Sequence, residues 1–295
     1  MKRRDFLKNI AVGSIVLNIK PNILAQEKKY PDLAVVQGEL PSQITREAIS
    51  ILGGVNRFIS KGDEVLIKPN IGWDRTPEQA ACTNPQVVKT LVELCFEAGA
   101  KKVKVMDHTI NPARRTYVRS GIAEAAKEAG ADVPFTNEHK LKKVPINGQK
   151  LKEWEVYRDF LETDKLINVP ITKHHSLSRL TLGMKNWLGA LGGNRNQLHQ
   201  SLDYAMVDLA AFFKPTLSFM DSYRILHRNG PQGGRLSDVK LHKTVAAGVD
   251  YVAVDSIGAH FMDINPGELM FLKIANERGL GEIDLEKLTI EKRKI

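Results

Sequence analysis

The sequence predicts an α/β fold: a mainly parallel sheet flanked by helices, with a small hairpin insertion. Two observations carry this. From about Asp32 onward, short apolar runs alternate with longer amphipathic ones, the pattern of strands and helices packed in layers. Gly99 and Gly130 each close an amphipathic stretch just before an extended one. Glycine in that place commonly ends a helix, and strand, helix, strand units favour parallel pairing.

In chain order, the expected strands are LAVVQG, EVLIKPN, KVKVMDH, KLINVP, TLSFMDS and TVAAGV, and the expected helices cover 43–59, 85–98, 114–130, 184–192, 201–213 and 267–278. Between Asn137 and Asp164 the chain turns polar. There KKVPINGQKLKEWEV reads as a hairpin around Asn147-Gly148, a strong two-residue turn signal. Residues 27–295 are expected to form a single domain carrying this insertion, with no internal repeat.

Residues 1–26 have a different character. Arg3 and Arg4 precede Phe6, Leu7 and Lys8, then a modest apolar run extends from Ile10 to Ile19, with small residues near Ala25. This is the layout of a twin-arginine signal, with Leu24-Ala25-Gln26 the natural cleavage region. It implies the twin-arginine translocation machinery as a partner and a periplasmic or other extracytoplasmic location. The apolar run falls short of the roughly 20 residues a permanent span requires, so no permanent membrane span is expected.

The formal charge of +9 suggests nucleic acid only until this segment is set aside, because Lys2, Arg3, Arg4, Lys8 and Lys20 oppose only Asp5 within it. Elsewhere Lys and Arg are interleaved with Asp and Glu, and aromatics make up 6% of the chain, too few for a platform on which bases stack. No nucleic-acid partner is expected. Cys82 and Cys95 lack zinc or iron–sulfur spacing. They either pair in an oxidising compartment or remain buried free thiols.

Polar residues gather where apolar runs end: Lys68 and Asn70 after EVLI, Asp107 and His108 after VKVM, His174 and His175 after LINVPITK, and Asp221 after LSFM. Ligands of open parallel sheets bind in the crevice outside the strand carboxyl ends, so convergence there is expected, although any one of these groups equally suits a hydrogen-bonded loop. The densest segment runs from Lys173 through Lys185 and Asn186 to His199. Gly183, Gly189, Gly192 and Gly193 within it let a backbone approach a ligand or end a short helix. Trp187 and Leu188 are expected in the core. No Walker loop or GxGxxG turn is present. The loop with Asn229-Gly230-Pro231 and Gly233-Gly234 suits a site rim or plain surface.

The chemistry of these types gives His175, His108 and Lys185 as catalytic candidates, since imidazole transfers protons near neutrality or ligates a metal, and a lysine binds an anion or, if its pKa is lowered, forms a covalent adduct. Lys68, Asn70, Asn186 and His174 are candidates for substrate binding. His199 and Asp107 are candidates for metal ligation, in no standard zinc spacing.

Taken together, KPN with Thr83-Asn84-Pro85, AGAKKVKVMDH, NVPITKHHSLSRLTLGMKNWLG, RNGPQGG, AGVDYVAVD and IANERGLGE closely resemble the family catalogued as domain of unknown function 362 (DUF362), from roughly Leu33 to Asp284. That resemblance implies an α/β domain often associated with redox or iron–sulfur proteins. The ferredoxin-type cysteine cluster fused to some members is missing from this sequence. A more distant likeness is to nickel-pincer lactate racemases, in which a histidine, a lysine and a later histidine serve a tethered nickel cofactor. His175, Lys185 and His199 follow that order, with Asp107-His108-Thr109 in support. The glycine pair expected before the lysine is replaced by Leu182-Gly183-Met184, and Asn186 follows the lysine.

The function expected is a metal- or cofactor-dependent enzyme doing redox or proton-transfer chemistry on a small polar or anionic metabolite or sugar derivative. The cofactor would be a metal ion or a tethered organic group. The alternative is a non-catalytic ligand-binding or maturation protein for an exported redox enzyme.

Overall fold

The computed structural model describes residues 30–295. The twin-arginine segment expected at residues 1–26 lies outside them.

The elements run β1 (Leu33–Gln37), α1 (Pro41–Ile51), β2 (Glu64–Pro69), α2 (Pro85–Glu97), β3 (Lys102–Val105), α3 (Ala113–Arg119), α4 (Ile122–Glu128), β4 (Leu141–Pro145), β5 (Glu153–Tyr157), α5 (Arg158–Glu162), β6 (Lys165–Val169), β7 (Ile171–His175) and β8 (Arg179–Thr181). They continue with α6 (Gly183–Asn186), α7 (Leu202–Phe213), β9 (Leu217–Leu226), β10 (Val239–Gly248), α8 (Tyr251–His260), α9 (Met270–Glu277) and β11 (Ile290–Lys294).

One nine-stranded mixed sheet organises the chain in the order β11-β1-β10-β9-β6-β2-β3, with β7 and β8 attached beside β9. The β9-β6-β2-β3 portion is parallel, as expected. Antiparallel pairing of β10 with both β1 and β9 makes the sheet mixed. The hairpin insertion is present as β4 paired antiparallel with β5, and Asn147 in its turn adopts φ +55°.

Side chains alternate between two cores because successive strand residues face opposite sides. Ala34, Val36, Val65, Ile67, Phe219, Val245 and Ala247 pack on one face with residues of α1, α2 and α4. Leu33, Val35, Leu66, Leu166, Met220 and Ala246 pack on the other with residues of α7, α8 and α9. This alternation positions the site: continuing the period of two beyond Leu66 and Leu166 brings Lys68 and Asn168 onto the second face, and they are register partners across β2 and β6.

Several expected boundaries shift for local reasons. The helix expected over 43–59 stops at Ile51 because Gly53 and Gly54 take φ +98° and +81°, values glycine reaches without steric cost. The helix expected over 114–130 breaks at Gly121, φ +70°, into α3 and α4. The stretch expected as a helix over 184–192 is a single α-turn followed by a 3-10 turn at Trp187–Ala190. Helix α8 had no counterpart in the sequence reading. Its residues are rich in Val, Ile and Tyr, and it is buried almost all round and started by Asp250, whose side chain accepts from the Val252 and Ala253 N–H groups. Trp187 is fully buried and stacked on Phe213, and Leu188 packs partly buried against the same core. Cys82 and Cys95 are buried free thiols, which excludes their pairing here. No helix among the described residues is long and apolar enough to cross a membrane.

Candidate functional site

At the carboxyl ends of β2 and β6, on the face of α6, a chain of polar side chains replaces the apolar core. Lys68 Nζ donates to Asp107 Oδ1 at 2.6 Å, to Asn186 Oδ1 at 3.0 Å and to the Pro69 carbonyl at 2.9 Å. The second Asp107 oxygen accepts from the Ile71 N–H at 2.6 Å. Asn186 in turn donates to the Lys68 carbonyl and to Asn168 Oδ1, and accepts from Asn70 Nδ2 at 3.2 Å. Asn70 Oδ1 accepts from Lys173 Nζ at 3.1 Å, and Lys173 also donates to the Ala81 carbonyl at 2.6 Å.

Lys68, Lys173, Asp107, Asn168 and Asn186 are all buried. Every charge in the chain therefore has a partner, as burial demands. Burial presses the Lys68 ammonium below its ordinary range against the pull of Asp107, and brings Lys173 down to about 8.

The turn carrying Lys185 is held by a carboxylate that faces it. Asp255 of α8 accepts from the Gly183 N–H at 2.6 Å and the Met184 N–H at 2.9 Å. Asn168 Nδ2 donates to the Gly183 carbonyl at 2.9 Å. A Cβ on Gly183 would lie 2.6 Å from Asp255 Oδ1, so glycine is required here for close approach. Burial pushes the Asp255 carboxyl up to about 7.

Lys185 itself is different. It is only 8% exposed, yet no hydrogen bond or ion pair holds its ammonium among the described residues. Burial and the Lys173 charge bring it down to about 8, opposed by Asp203. His175 is lowered to about 3 by burial and by the Lys185, Lys173 and His199 charges. Its Nδ1 accepts from the Leu177 and Ser178 N–H groups at 3.1 and 3.4 Å. The ring is therefore neutral, with its proton assigned to Nε2 by those bonds. Next to His175, whose ring accepts from Leu177 and Ser178, opens a cavity of about 500 Å³ lined by those two residues and by His199, Asp203, Lys150 and Tyr204 among others; Lys185 is not in its wall.

The expected site residues thus separate into two groups joined by the buried chain. His175, Lys185 and His199 act on one another electrostatically. His108 stands apart, near Arg195 and Glu138. Its Nδ1 donates to the Leu191 carbonyl at 2.6 Å with Tyr157 Oη at 3.3 Å, and burial lowers its pKa. Lys68, Asn70 and Asn186, expected to bind substrate, are occupied by one another. His174 lies within β7, its Nδ1 accepting from Gly230 N–H at 3.2 Å, so the glycine-rich loop does pack on this side.

His174 and His175 are the last two residues of β7, a strand of its own beyond the expected KLINVP. Two expectations are corrected by the geometry. Asp221 sits inside β9, on the opposite face from Lys68, and accepts from the Asn84 N–H at 2.7 Å at the start of α2; its role is to anchor that helix. Asp107 and His199 do not form a metal centre: Asp107 is engaged by Lys68 and Ile71, His199 is exposed with Nδ1 against the Asn196 carbonyl, and among the described residues no group of three or more His, Cys, Asp or Glu side chains is arranged to hold a metal ion. With the His175 Nδ1 also occupied, these donors do not fit a metal held by protein side chains.

Asp203, Asp255, Asn168 and Lys173 were not singled out by the sequence as site residues. The signal for Asn168 was present in the period-two pattern of KLINV, which places it beside Lys68. Asp255 lies in the AGVDYVAVD segment, but nothing local to it indicates that it faces Gly183.

Comparison with known proteins follows from this arrangement. The family model described as "Domain of unknown function (DUF362)" matches residues 65–260, which contain every candidate residue named above. The chain is 25% identical over 243 residues to a thylakoid-associated protein of Synechocystis, covering 80% of this chain and 74% of that protein. Among solved structures it is similar to the lactate racemase apoprotein of Thermoanaerobacterium thermosaccharolyticum, with a TM-score of 0.47 and 12% identity over 77% of this chain; it spans 56% of that protein. A Thermotoga maritima protein gives a TM-score of 0.41 and 13% identity, over 75% of this chain and 59% of the other.

Proposed function

We propose that this chain, which belongs to the DUF362 family, is an enzyme that binds a small organic anion at Lys185 and moves a proton on it. The observation that carries this reading is Lys185 itself: a lysine nearly removed from water, without a hydrogen-bond partner among the described residues, and within electrostatic reach of Asp203 in the wall of a cavity. Burying an unpaired ammonium is costly, and an anionic ligand offsets that cost. A lysine brought to about 8 is roughly a tenth neutral at pH 7, so it both attracts an anion and accepts a proton within the working range of a general base. His175, neutral and donating through Nε2, orients a ligand oxygen without competing for the proton.

In this reading the buried chain from Asp107 to Lys173 positions Lys185 and Asn70 and takes no part in bond making. His108 serves structure at the hairpin. Because a side-chain metal centre does not fit the donors present, no step is assigned to a metal. If an organic group is tethered, Lys185 is its attachment point, and the intact mass of the native protein reports it.

The test is binding and solvent exchange. In D₂O, wild-type protein is expected to exchange the C–H adjacent to the carboxylate of a bound acid, followed by proton NMR across a panel of short carboxylic and sugar acids, and Lys185→Met is expected to abolish it. Full retention of binding and exchange in both Lys185→Met and His175→Ala would overturn the proposal. Binding without exchange favours a second reading, a non-catalytic carrier or maturation protein. The saturated hydrogen bonding of Lys68, Asp107, Asn70 and Asn186 suits that reading, since it gives a rigid receptor.

We also propose export by the twin-arginine route, on the strength of Arg3 and Arg4 and the apolar run behind them. An Arg3→Lys/Arg4→Lys variant is expected to remain in the cytoplasmic fraction. Equal distribution of the variant and wild type would overturn the assignment.

A further inference from the structure

The cavity lined by His199 and Asp203 is larger and less uniformly polar than a three-carbon acid requires. Its volume of about 500 Å³ is in the range of pockets for drug-sized ligands, roughly 300–1,000 Å³. A three-carbon acid occupies the space of only three or four waters, about 100 Å³.

The walls are divided by chemistry. Ser178, His199 and Asp203 are polar, whereas Leu177 is 67% exposed and Tyr204 is 37% exposed on the same cavity. Single exposed apolar residues are ordinary. Here the two lie on a cavity whose wall also holds Asp203, which acts electrostatically on the buried Lys185, and together they form a contact surface. Lys150 Nζ lies 5.6 Å from the centre of the Tyr204 ring, and no carboxylate pairs with it among the described residues.

We infer that the ligand is an elongated organic anion: a carboxylate head directed to Lys185, carried on a flat apolar or aromatic body that lies along Tyr204 and Leu177. The inference rests on the anion-binding reading above and adds the substrate class. Tyr204 supplies a rigid face for the body, and aromatic rings pack favourably in offset or edge arrangements. Lys150 covers the same region from the rim, where a cation attracts the face of a second ring as it does that of Tyr204.

Calorimetric titration of the full chain with propionate, 3-phenylpropionate and the neutral 3-phenylpropanol tests it. The expected result is affinity for 3-phenylpropionate at least about tenfold above that for propionate, a margin of about 1.4 kcal/mol. Tyr204→Ala removes this margin and leaves propionate unchanged, and Tyr204→Phe retains it. Thermal melts confirm that both variants are folded. Equal affinity for the two acids, or a margin that survives Tyr204→Ala combined with Leu177→Ala, overturns the elongated body while the anion reading stands. Binding of 3-phenylpropanol as tight as that of its acid overturns the anion reading itself, and no binding by any of the three counts against both.

Discussion

Lys68 Nζ lies 2.6 Å from Asp107 Oδ1 with both side chains almost wholly out of water. Lys68 lies in β2 and Asp107 just beyond the end of the neighbouring β3, 39 positions apart. Removing one charge leaves the other buried and uncompensated, which typically costs about 3–5 kcal/mol. Lys68→Met is expected to lower stability by about that amount, read from the urea midpoint at unchanged slope. Lys68→Met/Asp107→Asn is expected to recover part of it, because Asn keeps an acceptor for the Ile71 N–H. A single-variant loss below about 1 kcal/mol would show that Asp107 reaches water or takes up a proton cheaply, and that the pair is not the buried anchor described.

Gly189 packs directly on this pair. A Cβ there would overlap Asp107 Oδ1 and lie 2.7 Å from Lys68 Nζ. The Gly189 carbonyl also accepts from the His108 N–H at 2.8 Å, so the backbone cannot retreat freely. Gly189→Ala is expected to destabilise by about 1–3 kcal/mol, the usual range for overpacking. Thermal unfolding of the variant checks this, and an unchanged midpoint would mean that the turn shifts at no cost.

The sequence made β1, β2, β3, β6, β9, β10 and the hairpin legible because each is a local signal, alternating or continuous apolar runs bounded by turn residues, whereas β7, β8 and β11 had no counterpart in it. The same locality explains the misses. Helix α8 depends on burial between β9, β10 and α9, which overrides the strand-like composition of YVAVDSI. For the site, Lys68 and Asp107, both expected at strand ends, meet in a hydrogen bond, and Lys185 acts electrostatically on His175. Residue types and strand ends could not separate Asp221 from the group, because facing depends on strand parity and Asp221 follows Met220 on the opposite side of β9. Nor could they separate His108, whose position is set by the hairpin carbonyl and ring contacts across Leu191 and Tyr157. Whether a lysine is paired or free is likewise a property of the folded surroundings: Lys68, Lys173 and Lys185 read alike in sequence, and of these three only Lys185 has no hydrogen-bond partner among the described residues.

Asp255 gives a pH signature in the acid range. Its folded pKa is raised to about 7, well above the ordinary carboxyl value, so the folded state binds the proton more tightly than the unfolded chain does. Stability from this group is fully present below about pH 4 and is lost as pH rises toward 7. Asp221, raised to about 6, contributes with the same sign. Asp255→Asn is therefore expected to flatten part of the decline between about pH 4 and 7, leaving the part due to Asp221. Urea unfolding at intervals across that range checks it. Parallel curves for variant and wild type would show that Asp255 does not titrate there.

Lys185 gives the opposite signature in the alkaline range. Its folded value of about 8 lies below the ordinary 10.5, so between these values the unfolded chain binds more protons and stability rises with pH. Below about pH 8 the folded protein carries the full cost of a buried ammonium without a partner, at most roughly 3 kcal/mol for a shift of this size. Lys185→Met removes the charge at similar volume and is expected to stabilise the protein at pH 7, with the gain fading as pH approaches 10.5. Lys173, lowered to a similar value, does not offer the same gain, because replacing it strips the Ala81 carbonyl and Asn70 of their donor. A residue held at a cost to stability, whose removal both strengthens the fold and abolishes ligand binding, is the trade-off expected of a functional group. Chemical unfolding of the two proteins from pH 7 to 10.5 decides it: a variant less stable than wild type at pH 7 would mean that Lys185 is a structural lysine with a partner of its own, and the anion site proposed here would lose its anchor.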